Sequence, residues 1–363
     1  MTAFRQRVPK APFVNILFYR FVAFVFTLLI VACIVALAGQ SPFELVTVIV
    51  RSTFLSRLGW EDWFLYASPL FLTSAAFAVG AKLNIWNIGM EGQFMAGALA
   101  SAIVGLYFPY DSFWVLVAML GAGCVGGVLW MAIPAFARVF GGTNEIITTL
   151  LLNFVAALLV SYVVTGPLRD TVTSALASSE YILPSLPLVW GDVHMGVIIA
   201  FVIVGVLALY MHFTRQGYEM RVIGANPRLA FYAGLPVKKL TLVMMLLSGG
   251  LAGLAGMFEV AGSVHRLQVG LSNNFGYLGI IVAILARGSF LGLIPASLFI
   301  AFLLNAGIIL QTMQLSSTLV MAMTGLLLLF ITIADELAHY ITLKPEAEAK
   351  TPKIANDIQE ETI

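Results

Sequence analysis

Apolar residues fill the chain in runs of about 20, each closed by a short cluster of glycine, proline or polar residues. Coiled as α-helix, a run of that length matches the ~30 Å hydrocarbon core of a bilayer. The pattern predicts spanning helices over 18–38, 64–80, 88–108, 113–137, 145–165, 195–213, 240–261, 290–310 and 315–334. A further segment, 275–286, is short, and an apolar run of roughly 10–14 residues can equally be a buried or re-entrant piece. Counting it gives the expected fold: all-α, a polytopic membrane helical bundle of about ten transmembrane helices. Residues 40–58 are only moderately apolar, and Glu44, Arg51 and Arg57 mark them as interfacial. The first run is too long for a signal-peptide core and is read as a retained first helix.

Composition agrees. The chain is 60% hydrophobic and 10% charged, with a mean hydropathy of +0.98, whereas a soluble domain is about one quarter charged. A net charge of +1 excludes a polyanionic partner, nucleic acid among them. With the N-terminus inside and ten alternating crossings, Arg51, Arg57, Arg169 and Arg266 fall outside, and the other fifteen of the nineteen basic residues fall inside. Basic residues prefer the cytoplasmic side, so both termini are expected there. This divides the chain into a cytoplasmic segment 1–17, a transmembrane domain 18–335 holding the basic loop 215–239, and a polar cytoplasmic tail 336–363. Cys33 and Cys124 lie within apolar runs and read as buried small hydrophobes.

Polar groups at membrane depth are costly and face a cavity or a partner. Segment 81–94, AKLNIWNIGMEGQF, concentrates Asn84, Asn87, Glu91 and Gln93. Asn84, Asn87 and Glu91 have the i, i+3, i+7 spacing of one helical face, while Gly89 and Gly92 are placed to break that helix. The segment is either a translocation or gating element or a network closing an irregular helix start. In GGTNEIITTLLLN, 141–153, Thr143 or Asn144 can cap the next helix, and Glu145 suits its first turn. Asn153 is too far into the helix to cap it; it bonds to another helix or lines a pathway. Glu259 has Arg266 as a local partner, with substrate contact the alternative. Loop 215–239 carries Arg221 and Arg228 beside a small apolar face, fit to dock a soluble partner or to lie among headgroups. The small-residue clusters 121–127 and 248–256 suit close packing of helices within the chain. No phosphate-binding GxxxxGK[ST] loop or catalytic constellation occurs, so an enzyme reading is disfavoured.

Four stretches occur in order: LNIWNIGMEGQFMAGALA at 83–100; GGTNEIITTLLLNFVA at 141–156; GYEMRVIGANPRLAFYAG at 217–234 with SGGLAGLAG at 248–256; and FGYLGIIVAILARGSFLGLIPASLFIAFLLNAG at 275–307. Together they resemble the permease family of ABC importers for simple sugars, nucleosides and branched-chain amino acids. The NIGMEGQ run, with Thr143, Asn144, Glu145, Thr148 and Asn153, is closest to the nucleoside branch served by basic-membrane-protein-type lipoprotein receptors. Ala286 stands where many relatives have glycine. The resemblance implies nucleoside import, with simple-sugar import as the alternative; a secondary transporter or channel needing no ATPase is the reading from a different class, and the basic loop 215–239 argues against it. It implies a second permease subunit, two cytoplasmic ATPase domains that use ATP and magnesium, and an extracytoplasmic substrate-binding lipoprotein. This chain itself would bind no cofactor and would sit as a multi-pass protein in a bacterial plasma membrane. Candidate translocation-path residues are Asn84, Asn87, Glu91, Gln93, Asn144, Glu145 and Asn153. Segment 217–234 becomes the ATPase-coupling element, with Arg221, Gly224, Asn226, Pro227, Arg228, Tyr232 and Gly234 as its candidates.

Overall fold

A computed structural model describes residues 5–7, 13–37, 39–171, 177–313 and 315–342; the polar stretch 344–363 lies outside them. In chain order the elements are β1 (Arg5–Arg7), α1 (Phe13–Leu37), α2 (Pro42–Phe54), α3 (Arg57–Ala81), α4 (Met90–Tyr107), α5 (Phe113–Gly141) and α6 (Glu145–Thr165). Next come β2 (Leu188–Trp190), β3 (Val193–His194), α7 (Gly196–Phe213), α8 (Arg215–Ala225), α9 (Pro227–Tyr232) and α10 (Val237–Phe258). A π-helical turn, Glu259–Val264, extends α10; α11 (Phe275–Leu285), α12 (Phe290–Thr312), α13 (Ser317–Leu337) and β4 (Tyr340–Thr342) follow.

The protein is an all-α polytopic membrane bundle. Seven helices among the described residues are long and apolar enough to cross a bilayer: α1, α3, α5, α6, α7, α10 with its π turn, and α12. The count of ten is not reached on that measure. Helix α4 opens with Glu91 and Gln93, which dilute its 18 residues, and α11 has only 11. Helix α2, with Glu44 in its first turn and Arg51 in its last, is the moderately apolar segment read as interfacial. Cys124 is half-buried, but Cys33 is exposed on α1, where an apolar thiol on a lipid-facing helix needs no protein cover.

The chain divides into two compact units, residues 1–42 with 321–363, and residues 43–320. In the first, β1 pairs antiparallel with β4, Arg7 opposite Tyr340. Arg20 of α1 grips Asp335 of α13 with two 2.6 Å hydrogen bonds, and Phe26 meets Phe330 edge-on at 5.1 Å. These contacts bring the start of α1 and the end of α13 to one end of the pair.

In the second unit, α10 packs on α3, α4 and α5, while α3 also meets α7, α11 and α12. From Ala67 to Gly80 every residue of α3 is buried, so it is the central strut. Glycines let α5 and α10 touch backbone to backbone. A Cβ placed on Gly127 would fall 2.8 Å from Gly253 Cα, closer than real side chains sit. Without a hydrophobic drive between helices in lipid, such close van der Waals contact is what holds them together.

Candidate functional site

The polar segment 82–89 connects α3 to α4, and it is not helical. The shared helical face expected for Asn84, Asn87 and Glu91 is therefore not formed. Asn84 adopts φ 56°, a left-handed conformation that asparagine tolerates and that breaks the helix. Two groups of side chains result.

Asn84 is exposed, and its Nδ2 donates to the carbonyl of Gly224 in α8 at 2.8 Å. Gly224 is also pressed onto the Lys82 carbonyl, leaving no room there for a Cβ. The linker and α8 are thus in direct backbone contact. Asn226 opens α9 by accepting from the Arg228 and Leu229 amides at 3.1 Å each, and Pro227 fills the first helical position. That short helix presents Arg228, Leu229, Phe231 and Tyr232 outward, with Tyr232 85% exposed. Gly234, at φ 77°, turns the chain toward α10. Arg221 is exposed on α8, and its Nη1 donates to the Met211 carbonyl at 2.8 Å.

Asn87, Glu91, Gln93 and Asn153 form the second group, each only 1–4% exposed. Asn87 and Gln93 exchange amide hydrogen bonds of 2.9 and 3.0 Å. Asn87 also donates to Ser248 Oγ on α10 at 2.8 Å, and Ser248 donates on to the Ala76 carbonyl of α3 at 2.7 Å. The Asn87 Oδ1 accepts the Gly89 amide at 2.9 Å. Asn153, on α6, accepts the Gly92 amide at 2.9 Å and donates to the Ile88 carbonyl at 2.8 Å and to Tyr277 Oη at 3.1 Å. Glu91 accepts the Gly276 amide at 2.9 Å and a short hydrogen bond from Ser272 Oγ, closing the start of α11. A helix start leaves backbone amides without intrahelical partners, and lipid offers no water to satisfy them. Side chains from α6 and the linker satisfy those of α4. The four residues form a knot joining α3, α4, α6, α10 and α11. Ser248, Ser272 and Tyr277 complete it and carried no signal in the sequence beyond being polar within apolar runs.

The other candidates lie apart. Asn144, not Thr143, caps α6, accepting the Ile146 amide at 2.9 Å, and Glu145 pairs with Arg138 at 3.2 Å. The partnership expected between Glu259 and Arg266 does not form. Arg266 pairs with Asp170 at 3.0 Å, because the π turn carries Glu259 toward Ser263, whose Oγ it accepts at 3.5 Å.

The π turn also makes room for His194 of β3; a Cβ on Gly262 would sit 2.5 Å from that ring. His194 is 1% exposed; its Nδ1 accepts the Gly196 amide at 3.1 Å, and Nε2 lies 3.4 Å from Ser263 Oγ. Burial first, and the neighbouring His265 second, push its pKa down to about 4. The unfolded chain, with an ordinary histidine near 6.5, takes up this proton first as pH falls. Stability contributed by the neutral ring is whole above about pH 6.5 and drains away between there and about pH 4. The full loss is roughly 3 kcal/mol. The thermal midpoint should fall across that window and fall less in His194→Gln; parallel pH profiles for the two proteins would contradict this account.

Comparison with known proteins agrees with this architecture. A family model described as branched-chain amino acid transport system / permease component matches residues 59–332. The glucose ABC transporter permease protein TsgB13 of Haloferax volcanii is 33% identical over 314 residues, 82% of each chain. The nucleoside ABC transporter permease protein NupB of Lactococcus lactis is 28% identical over 302 residues, 76% of this chain and 83% of its own. The guanosine ABC transporter permease protein NupP of Bacillus subtilis is 30% identical over 237 residues, 63% of this chain and 68% of its own. No solved structure matches. The relatives span sugar and nucleoside permeases from an archaeon and from bacteria, so they do not single out the nucleoside branch. A match over three quarters of the chain, on a bundle of this build, makes the chain a member of this ABC-transporter permease family.

Proposed function

We propose that this chain is the pore-forming permease of an ATP-driven importer for a simple sugar. The observation that carries the substrate is the similarity to the glucose permease over 82% of both chains. Two relatives named for nucleosides and guanosine favour nucleosides as the second reading. Both solutes are neutral and rich in hydroxyls. Vesicles holding the permease with its ATPase and receptor decide between them. ATP-dependent uptake of labelled glucose is expected; uptake of guanosine without glucose would replace the sugar reading by the nucleoside one.

In this reading the chain crosses the membrane ten times with both termini cytoplasmic. The β1–β4 pair and the Arg20–Asp335 bridge support it, since ends on one side require an even number of crossings. The partners are a second permease, two ATPase domains and a receptor. The exposed face of α9 is what the ATPase meets, and Asn84 relays its movement into the linker. The knot around Asn87 and Asn153 then moves as one piece, so that a shift at α8 reaches α10 and α11 together. A bundle with two discrete packings converts such a shift into opening on one side or the other.

Charge reversal at Arg228 tests the docking face. Arg228→Glu keeps the Asn226 cap, which uses only backbone amides. It should reduce co-purifying ATPase by roughly tenfold or more while leaving membrane insertion unchanged. ATPase recovery and uptake equal to the parent protein would remove Arg228 from the interface.

A further inference from the structure

A cavity of about 600 Å³ lies where α7 ends and α8 and α12 begin. One wall is a single face of α7: Gly205, Ala208, Leu209, His212 and Phe213, the i, i+3, i+4, i+7, i+8 series of a helix. At 1.5 Å per residue that face runs ~12 Å along the helix. Leu291 of α12 adds to the apolar surface, and a Cβ on Gly205 would meet nothing within 4 Å, so the apolar end is open.

The other end is basic, with Lys82 and Arg221 both lining it. Lys82 Nζ donates to the Gly288 carbonyl at 2.6 Å, and Arg221 Nη1 to the Met211 carbonyl at 2.8 Å. Among the described residues neither has a carboxylate at ion-pair distance, whereas Arg138, Arg215 and Arg266 each do. Burial, and after it the charge of Arg221, holds the Lys82 ammonium below its ordinary pKa. Two cations are therefore kept near each other with no anion between them, at the head of an apolar groove.

We propose that this cavity binds one anionic glycerophospholipid, its phosphate between Lys82 and Arg221 and an acyl chain along the Gly205–Phe213 face of α7. A soluble anion would match only the basic end, and a zwitterionic lipid would bring its own cation to two others. Basic pockets between helices near the membrane surface recognise acidic headgroups in this way. Arg221 belongs to the segment proposed to meet the ATPase, and Lys82 begins the linker that Asn84 ties to it, so the lipid would brace the coupling segment against the bundle.

Native mass spectrometry of the purified full chain tests this, with phosphatidylglycerol and phosphatidylcholine of identical acyl chains. The parent protein should retain one phosphatidylglycerol with roughly tenfold preference. Lys82→Gln should cut that preference by roughly fivefold, and Lys82→Arg should keep it. Gly205→Phe fills open space, so its thermal midpoint should match the parent while retention of both lipids falls. Equal retention of the two lipids by the parent protein would overturn the proposal. So would displacement of phosphatidylglycerol by millimolar inorganic phosphate together with unchanged retention in Gly205→Phe, which would identify a site for soluble anions.

Discussion

Asn153→Ala should be among the most damaging single truncations in the chain, with most folded protein and uptake lost. The side chain ends three interactions at once: it accepts the Gly92 amide and donates to the Ile88 carbonyl and to Tyr277. Gly92 is the third residue of α4, so its amide has no partner within the helix. Stranding a buried backbone group costs about 1–3 kcal/mol, and lipid supplies no replacement. With two backbone groups stranded the loss is roughly 3–5 kcal/mol, a large part of a typical folding free energy. Asn144→Ala is the internal control. It removes an exposed cap from the same sequence stretch and should cost about 1 kcal/mol. Thermal unfolding of both variants in detergent makes the comparison; equal midpoints would mean that Asn153 does not hold the start of α4.

The contrast between these two asparagines bears on mechanism. Side chains that spend all their hydrogen-bonding capacity within the protein have little left for a solute. The amides of Asn87, Gln93 and Asn153 are engaged with one another and with α4, α10 and α11. They suit a rigid packing element better than a bare lining. Asn84 stands apart, exposed and hydrogen-bonded to Gly224 of α8. A single short stretch thus carries a contact to the exterior helices at one end and an interior anchor at the other.

What the sequence made legible was local. Runs of apolar residues located the long helices, and α6 spans Glu145–Thr165 as expected, because a cap, an acidic first turn and an apolar run all coincide. The start of α9 was visible from Asn226-Pro227, a capping residue followed by a proline suited to the first helical position. Two kinds of feature were not legible. Helical spacing placed Asn84, Asn87 and Glu91 on one face, but spacing does not reveal that Asn84 turns left-handed and stops the helix. Long-range partners leave no local trace: Asn153 meets Gly92 across 61 positions, and Asn87 meets Ser248 across 161. The π turn at 259–264 likewise has no periodicity of its own, and it moves Glu259 away from Arg266. The solute is not singled out either, since relatives named for glucose, for nucleosides and for guanosine all match this chain.

Gly253→Val should prevent the bundle from assembling. A Cβ at 253 would meet the Cα and amide nitrogen of Gly127 at 2.9 Å, with the Gly123 carbonyl nearer still. All three obstacles are backbone, so no rotamer change can clear them; α10 would have to move away from α5. Overpacking a core costs about 1–3 kcal/mol even where side chains can yield, and here nothing can. Separating the helices also removes the close contact that holds them in lipid. Recovery of monodisperse protein should fall to near zero, and even Gly253→Ala should lower the thermal midpoint. Gly121→Ala, within the small-residue cluster facing Gly253 but with nothing within 4 Å of its added Cβ, should behave as the parent. A parental midpoint for Gly253→Ala would mean that α5 and α10 do not pack this way. Ser248 lies on the same helix as Gly253 and holds Asn87 to Ala76. A shifted α10 would therefore take the interior anchor of the linker with it.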